Sequence, residues 1–339
     1  MTARPIKKIA VIGAGAWGTA LAATACRAGL DVTLWARNTA LAETIPREHV
    51  NTAYLPGCPL DPKIAATADL SKACDAADAL LLVVPTQHLR EIASSLAAFL
   101  KPGIPVVLCG KGVEIGSGAL TGEIIGSVLP QSPWAVLSGP TFAFEVAKGL
   151  PTAVTLASHD QDLARRLVAA LGTETFRPYL SDDPIGCEIG GAVKNVLAIA
   201  CGILWGRQLG DNARAALVTR GLAEITRLAI AKGGRPETVM GLSGLGDLVL
   251  TCNAQQSRNC SLGIALGQGR TLNEILGERH SVAEGVTSAR AVAQLAASLG
   301  VDMPIVAAVH AVLYDGVAID DAIRGLLARP FKQEHGAPG

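Results

Sequence analysis

The sequence predicts a doubly wound, parallel α/β sheet followed by an all-helical domain. Three observations predict it. Short runs rich in Val, Ile and Leu alternate with helical patterns through the first half of the 339 residues. Each run ends at Gly, Pro or a polar residue, as strands buried on both faces do. Beyond residue 183 strand-like runs nearly vanish, and Ala, Leu, Ile and Glu recur at helical spacing.

In chain order, the apolar runs place strands at 9–12, 32–35, 79–84, 106–109 and 134–137. Helical patterns at 19–27 and 89–99 supply crossovers. Two further strands, 153–157 and 175–179, flank a helix over about 160–171 and extend the sheet. In the second part, 213–232, 287–299 and 305–314 carry helical periodicity. The expected division is 1–183 for the sheet domain, 184–332 for the helical domain and 333–339 for a polar, Gly/Pro-containing tail.

Composition narrows the function classes. Lys plus Arg and Asp plus Glu both number 29, so the formal net charge is zero. That balance argues against broad binding to nucleic acid or an anionic membrane surface, while leaving room for a small anion held by a few cations. The eight cysteines form no C-x-x-C pair and no His cluster accompanies them. They read as buried thiols of a reducing compartment, with no metal expected. The N-terminus has no signal-peptide pattern and the apolar runs are short, so a cytoplasmic location is expected.

Residues 13–18 read Gly-Ala-Gly-Ala-Trp-Gly, directly after the first strand and opening a helix. This is the G-x-G-x-x-G pattern of a Rossmann-like dinucleotide site. Gly13 permits the tight turn, Gly15 lets the backbone approach a pyrophosphate, and Gly18 lets helix and strand pack closely. The helix N-terminus offers N–H groups and partial positive charge to the phosphates. At the end of the second strand, where NAD sites usually place Asp or Glu, stands Arg37. A guanidinium suits a 2′-phosphate, so NADP(H) is expected to be accepted.

Four other segments carry polar groups in settings that suggest chemistry. Lys111 lies between two glycines after a strand, able to reach an anion. Ser138-Gly-Pro-Thr141-Phe-Ala143 is a loop that can approach a ligand. Lys194 is the only charge between Glu188 and Arg207, with Gly190 and Gly191 on its helical face. An isolated lysine in apolar surroundings is costly unless paired, and burial lowers its pKa toward the range useful for proton transfer. Asp247 sits between a glycine-rich turn and an apolar run and needs a partner; Arg258 and Asn259, after Ser257, can hold a phosphate.

Together these strings resemble the bacterial-type NAD(P)-dependent glycerol-3-phosphate dehydrogenases. The matching segments are GAGAWGTALA, LLVVPTQ, KGVE, SGPTFA, GLPTAV, GGAVKNVLAI, TRGLAEITRL, GLSGLGDLVLTC, QSRN and VAEGV, in order from residue 13 to about 286. The resemblance implies interconversion of dihydroxyacetone phosphate and sn-glycerol 3-phosphate with NAD(H) or NADP(H), supplying glycerophospholipid precursors. It implies that Lys194 is the general acid/base. Beside Gly13, Gly15 and Gly18 of the glycine motif, it assigns cofactor contacts to Ala16, Trp17, Arg37, Lys111, Ala143, Arg258, Val282 and Glu284. It assigns the substrate site to Lys111, Gly139, Thr141, Lys194, Asp247, Ser257, Arg258 and Asn259. A homodimer is expected. Two alternatives stay open on the sequence: a related dehydrogenase for a hydroxy or sugar acid, and a dinucleotide sensor without catalysis.

Overall fold

The computed structural model describes residues 5–278 and 284–331. Its strands are β1 (Lys8–Ile12), β2 (Asp31–Trp35), β3 (Val50–Asn51), β4 (Leu55–Pro59), β5 (Ala65–Thr67), β6 (Ala79–Leu82), β7 (Val106–Leu108), β8 (Trp134–Ser138), β9 (Thr152–Ala157) and β10 (Phe176–Ser181). Eight of them form one sheet in the order β10-β9-β8-β7-β6-β1-β2-β5, and β3 pairs with β4 as a separate hairpin.

Alternation along each strand feeds two cores. Ile9, Val11, Leu34, Leu81 and Val107 pack on one face of the sheet, and Ala10, Ile12, Leu80, Leu82 and Leu108 on the other. That two-sided burial is why these strands are continuously apolar. The chain leaves β1 for one side of the sheet and β6 for the other, since β1 lies between β6 and β2. The crevice beyond the carboxyl ends of β1 and β6 is the switch point where such sheets bind ligands.

The sheet is not wholly parallel, which corrects one expectation. β9 runs antiparallel to β8, and β10 is parallel to β9. The only α-helix between β8 and β9 is Ala143–Ala147. At five residues it spans about 7 Å, too short to return the chain to the far edge for a parallel crossover. The edge strand β5 and the β3–β4 hairpin lie outside the sequence expectation. Ala65-Ala66-Thr67 is too short to show a period, and Leu55–Pro59 holds two prolines and a glycine.

Two residues after β10 the character changes. Helix Pro184–Gly206 begins with proline at its first turn, and the Asp183 carboxylate accepts from the N–H of Gly186 at 2.9 Å. This 23-residue helix is the axis of the helical part. Helices Gly210–Ala231, Asp247–Asn253, Arg258–Gly267 and Glu284–Ser298 pack around it. Among the described residues it is the one helix long and apolar enough to cross a membrane, and nearly all of that apolar stretch is buried within the protein.

Its closest neighbour is helix Arg258–Gly267, and glycine decides the spacing. A Cβ on Gly202 would stand 2.1 Å from the carbonyl oxygen of Cys260, and one on Gly263 would stand 2.1 Å from that of Ile199. The two backbones therefore touch. This contact presents the start of the second helix, Ser257-Arg258-Asn259, beside the turn that carries Lys194 and Asn195.

Candidate active site

The turn after β1 is built as the glycine pattern requires. Gly13 has φ +120°, and a Cβ there would stand 2.5 Å from the carbonyl oxygen of Val83. A Cβ on Gly18 would meet the carbonyl oxygen of Gly13 at 1.7 Å, so helix and turn are in backbone contact. A Cβ on Gly15 would meet nothing within 4 Å, so the backbone there is open on that side. Gly15 is also the N-cap of helix Ala16–Arg27, and no side chain caps that end. Open space, an uncapped helix N-terminus and the buried, unpartnered indole Nε1 of Trp17 fit a dinucleotide pyrophosphate.

Arg37 is exposed just beyond β2, on the opposite side of β1 from the groups described next. Its separation from them suits a contact at the adenosine end of a dinucleotide rather than with the reacting atoms.

At the carboxyl ends of β7 and β8 the loops bear Lys111, Gly139, Thr141 and Ala143. The Lys111 ammonium donates to the Gly139 carbonyl at 2.9 Å and to Asp247 Oδ2 at 2.6 Å. Thr141 Oγ1 donates to the same carbonyl at 3.3 Å, and Ala143 opens the short helix that follows. Gly139 crosses so close to β9 that a Cβ would stand 2.9 Å from Val154 Cα.

Lys194 is 7% exposed. Its Nζ donates to Asp247 Oδ1 at 2.8 Å and to Thr251 Oγ1 at 2.9 Å. Gly190 and Gly191, on the helical face of Lys194, make room for its neighbours. A Cβ on Gly191 would press on Lys111 Cγ at 3.3 Å, and one on Gly190 would strike the Ser243 carbonyl oxygen at 2.6 Å. Gly191 thus admits the Lys111 stem, and Gly190 admits the irregular turn Leu242–Gly246 that leads into Asp247.

Electrostatically, two ammonium groups share one carboxylate. Asp247 is fully buried, and burial alone would raise its pKa; Lys111 and Lys194 overcome that and hold it below 3.8. Burial pulls the Lys194 ammonium below the ordinary 10.5, and the charge of Lys111 pulls the same way, while Asp247 and Glu284 resist. The carboxylate stays ionised, and Lys194 is the group whose proton is loosened.

The phosphate candidates divide. Ser257 is the N-cap of helix Arg258–Gly267, accepting from the N–H of Cys260 at 3.3 Å. Arg258 is exposed at that helix start. Asn259 is buried, and its side chain bridges protein groups: Nδ2 donates to Asn195 Oδ1 at 2.8 Å and Oδ1 accepts from the N–H of Gly285 at 3.0 Å. Glu284, beginning helix Glu284–Ser298, has its carboxyl pushed up by burial, against the pull of Arg258, Lys194 and Lys111. Val282 lies outside the described residues.

Sequence reasoning missed two members of this cluster. Thr251 follows Asp247 by four residues, so helical spacing could have flagged it. Asn195 lies beside Lys194, but its tie to Asn259 links positions 64 residues apart and has no local signal. Among the described residues no group of three or more His, Cys, Asp or Glu converges as a metal site.

Family models agree with this architecture. The N-terminal model of NAD-dependent glycerol-3-phosphate dehydrogenase matches residues 8–164, and the C-terminal model of the same enzyme matches residues 183–324. Glycerol-3-phosphate dehydrogenase [NAD(P)+] of Rhodospirillum rubrum is 60% identical over 332 residues, covering 98% of this chain and 95% of its own length. The protein of that name from Caulobacter vibrioides is 57% identical over 328 residues, covering 97% and 99%. The crystal structure of glycerol-3-phosphate dehydrogenase from Coxiella burnetii superposes with TM-score 0.92 at 40% identity, over 96% of this chain and 99% of that one. The chain belongs to the NAD-dependent glycerol-3-phosphate dehydrogenase family.

Proposed function

We propose that this chain interconverts dihydroxyacetone phosphate and sn-glycerol 3-phosphate with NAD(H) or NADP(H), and so supplies glycerophospholipid precursors. The observation that carries the reading is the buried Lys194–Asp247–Lys111 cluster at the carboxyl edge of the sheet that bears the dinucleotide turn. Residues 1–183 hold the nucleotide and 184–332 the substrate. The enzyme works in the cytoplasm as a homodimer.

The nicotinamide cofactor, when bound, supplies the hydride for the ketone carbon. Charge then builds on the carbonyl oxygen, and the Lys194 ammonium stabilises it and delivers the proton. Asp247 and Thr251 hold the Lys194 amine in place. Lys111 adds positive charge beside the same carboxylate and donates to the Gly139 carbonyl. Arg258 and the first N–H groups of helix Arg258–Gly267 receive the substrate phosphate. The side chain of Asn259 keeps that helix start against Asn195. In the oxidising direction Lys194, as neutral amine, takes the hydroxyl proton.

The reading is tested by following NADPH oxidation on addition of dihydroxyacetone phosphate. Lys194→Ala is expected to lower kcat by roughly 10²–10⁴-fold, the usual worth of a positioned acid/base. Turnover near that of the unaltered enzyme would sink it, as would equal turnover of unphosphorylated ketones.

A further inference from the structure

The loop that delivers Lys111 to Asp247 is gripped from behind by side chains outside the cluster. Gln87 spans it at two points: Nε2 donates to the Val113 carbonyl at 2.8 Å, and Oε1 accepts from the N–H of Ile115 at 3.0 Å. Between those points, Glu114 receives both arms of Arg90, Nε at 2.9 Å and Nη2 at 2.8 Å. Ser117 donates its hydroxyl to the same carboxylate. The Glu114 side chain is 13% exposed and that of Arg90 43%, so the two-point fork, more than burial, sets this pair apart from a single-contact surface pair. Under the loop, a Cβ on Gly112 would stand 2.8 Å from Thr86 Oγ1. The segment from Thr86 to Arg90 therefore acts as a template on which residues 112–115 are laid.

Resting on the acid/base reading above, the structure assigns Gln87 and the Arg90–Glu114 pair a positioning role: they hold the Lys111 ammonium on Asp247. None of the three reaches Lys194 itself. Their effect passes through the shared carboxylate. With the template intact, Asp247 divides its two oxygens between Lys111 and Lys194. With the loop released, Lys111 withdraws, Asp247 belongs to Lys194 alone, and a like charge recedes. Both changes favour the Lys194 ammonium. The groups facing Lys194 are Asp247 and Cys252 from helix Asp247–Asn253, Lys111 from the loop, and Glu284 from helix Glu284–Ser298. Of these, the template moves only Lys111.

The experiment uses the full-length chain with dihydroxyacetone phosphate and NADPH. It reads kcat against pH, KM for the ketone, the Kd of NADPH and Tm, for Gln87→Leu, Arg90→Met and the milder Arg90→Lys. Gln87→Leu and Arg90→Met are expected to move the alkaline fall of kcat upward by about half a pH unit or more. KM should rise about five- to tenfold, and NADPH affinity should fall by less than KM rises. Arg90→Lys keeps the charge but loses the fork, so its shift should be smaller and in the same direction. An alkaline limb that stays in place in all three variants, with only Tm lowered, overturns the assignment. Lys194→Ala run alongside separates the two ideas. A dead Lys194→Ala with unmoved limbs refutes the template alone, whereas an active Lys194→Ala refutes the acid/base reading itself.

Discussion

Lys111 and Lys194 are joined through one carboxylate: Asp247 Oδ2 accepts from the first at 2.6 Å and Oδ1 from the second at 2.8 Å. One fully buried negative charge therefore faces two positive ones. On the proposed reaction, that surplus positive charge faces a ketone oxygen that gains negative charge on reduction and a substrate that brings its own anion.

The shared carboxylate makes pH dependence direction-specific. On the proposed mechanism reduction needs the Lys194 ammonium, so its kcat should fall as pH rises through a pKa below 10.5. Oxidation needs the neutral amine, so its kcat should rise over the same range. In Asp247→Asn both ammonium groups lose their counter-charge. The midpoint of the reductive limb should then move to lower pH, and stability should drop by about 3–5 kcal/mol, as when one partner of a buried pair is removed. Rate–pH profiles in both directions and denaturant melts check this; a reductive limb moving upward in Asp247→Asn would contradict it.

Glu188 predicts a pH-dependent stability unrelated to catalysis. It lies buried on helix Pro184–Gly206 and accepts from Thr121 Oγ1 at 2.6 Å and the N–H of Gly122 at 2.7 Å. Burial raises its carboxyl from 4.5 to about 7, against those two bonds. Below pH 4.5 folded and unfolded chains are both protonated, and burial of this group carries no ionisation penalty. Between 4.5 and 7 the unfolded chain ionises first, so stability falls as pH rises, and the loss is complete above 7. Glu188→Gln keeps an oxygen to accept both bonds. It should stabilise the protein by about 3 kcal/mol at pH 8 and change little near pH 4.5. Urea melts at the two pH values decide it, and equal effects at both would show the penalty is absent.

The glycine contact between helices Pro184–Gly206 and Arg258–Gly267 predicts a cost with a functional component. A methyl group on Gly263 would stand 2.1 Å from the Ile199 carbonyl oxygen, so Gly263→Ala must force the backbones apart. Stability should fall by about 1–3 kcal/mol, the usual cost of overpacking. Because the same helix starts at Arg258, KM for dihydroxyacetone phosphate should rise. A variant with unchanged Tm and KM would show that the helices can part freely.

Arg37 predicts cofactor preference. The guanidinium is exposed beyond β2, next to the strand that leads into the dinucleotide turn. Arg37→Asp should lower kcat/KM for NADPH relative to NADH by about tenfold or more, since a carboxylate repels a 2′-phosphate and can accept from ribose hydroxyls. An unchanged ratio of the two kcat/KM values would remove Arg37 from the cofactor site.

What was legible in the sequence was local. The G-x-G-x-x-G turn, the apolar strands and the isolated Lys194 follow from backbone sterics, two-sided burial and the cost of an unpaired charge. Each depends on neighbours within a few residues. The resemblance offered Asp247 as the group that orients either Lys194 or a substrate hydroxyl, but could not choose between the two, because Asp247 lies 53 residues from Lys194.

Only the tertiary structure decided which groups meet. It seated Lys111 on a carboxylate 136 residues downstream, through the space Gly191 leaves. It tied Asn259 to Asn195 and Gly285 and turned β9 against β8. It brought Glu188 to the start of helix Thr121–Val128. The physical reason is common to all four. A buried polar group or strand edge must be satisfied, but many sequence-distant partners could satisfy it, and only the packed chain selects one.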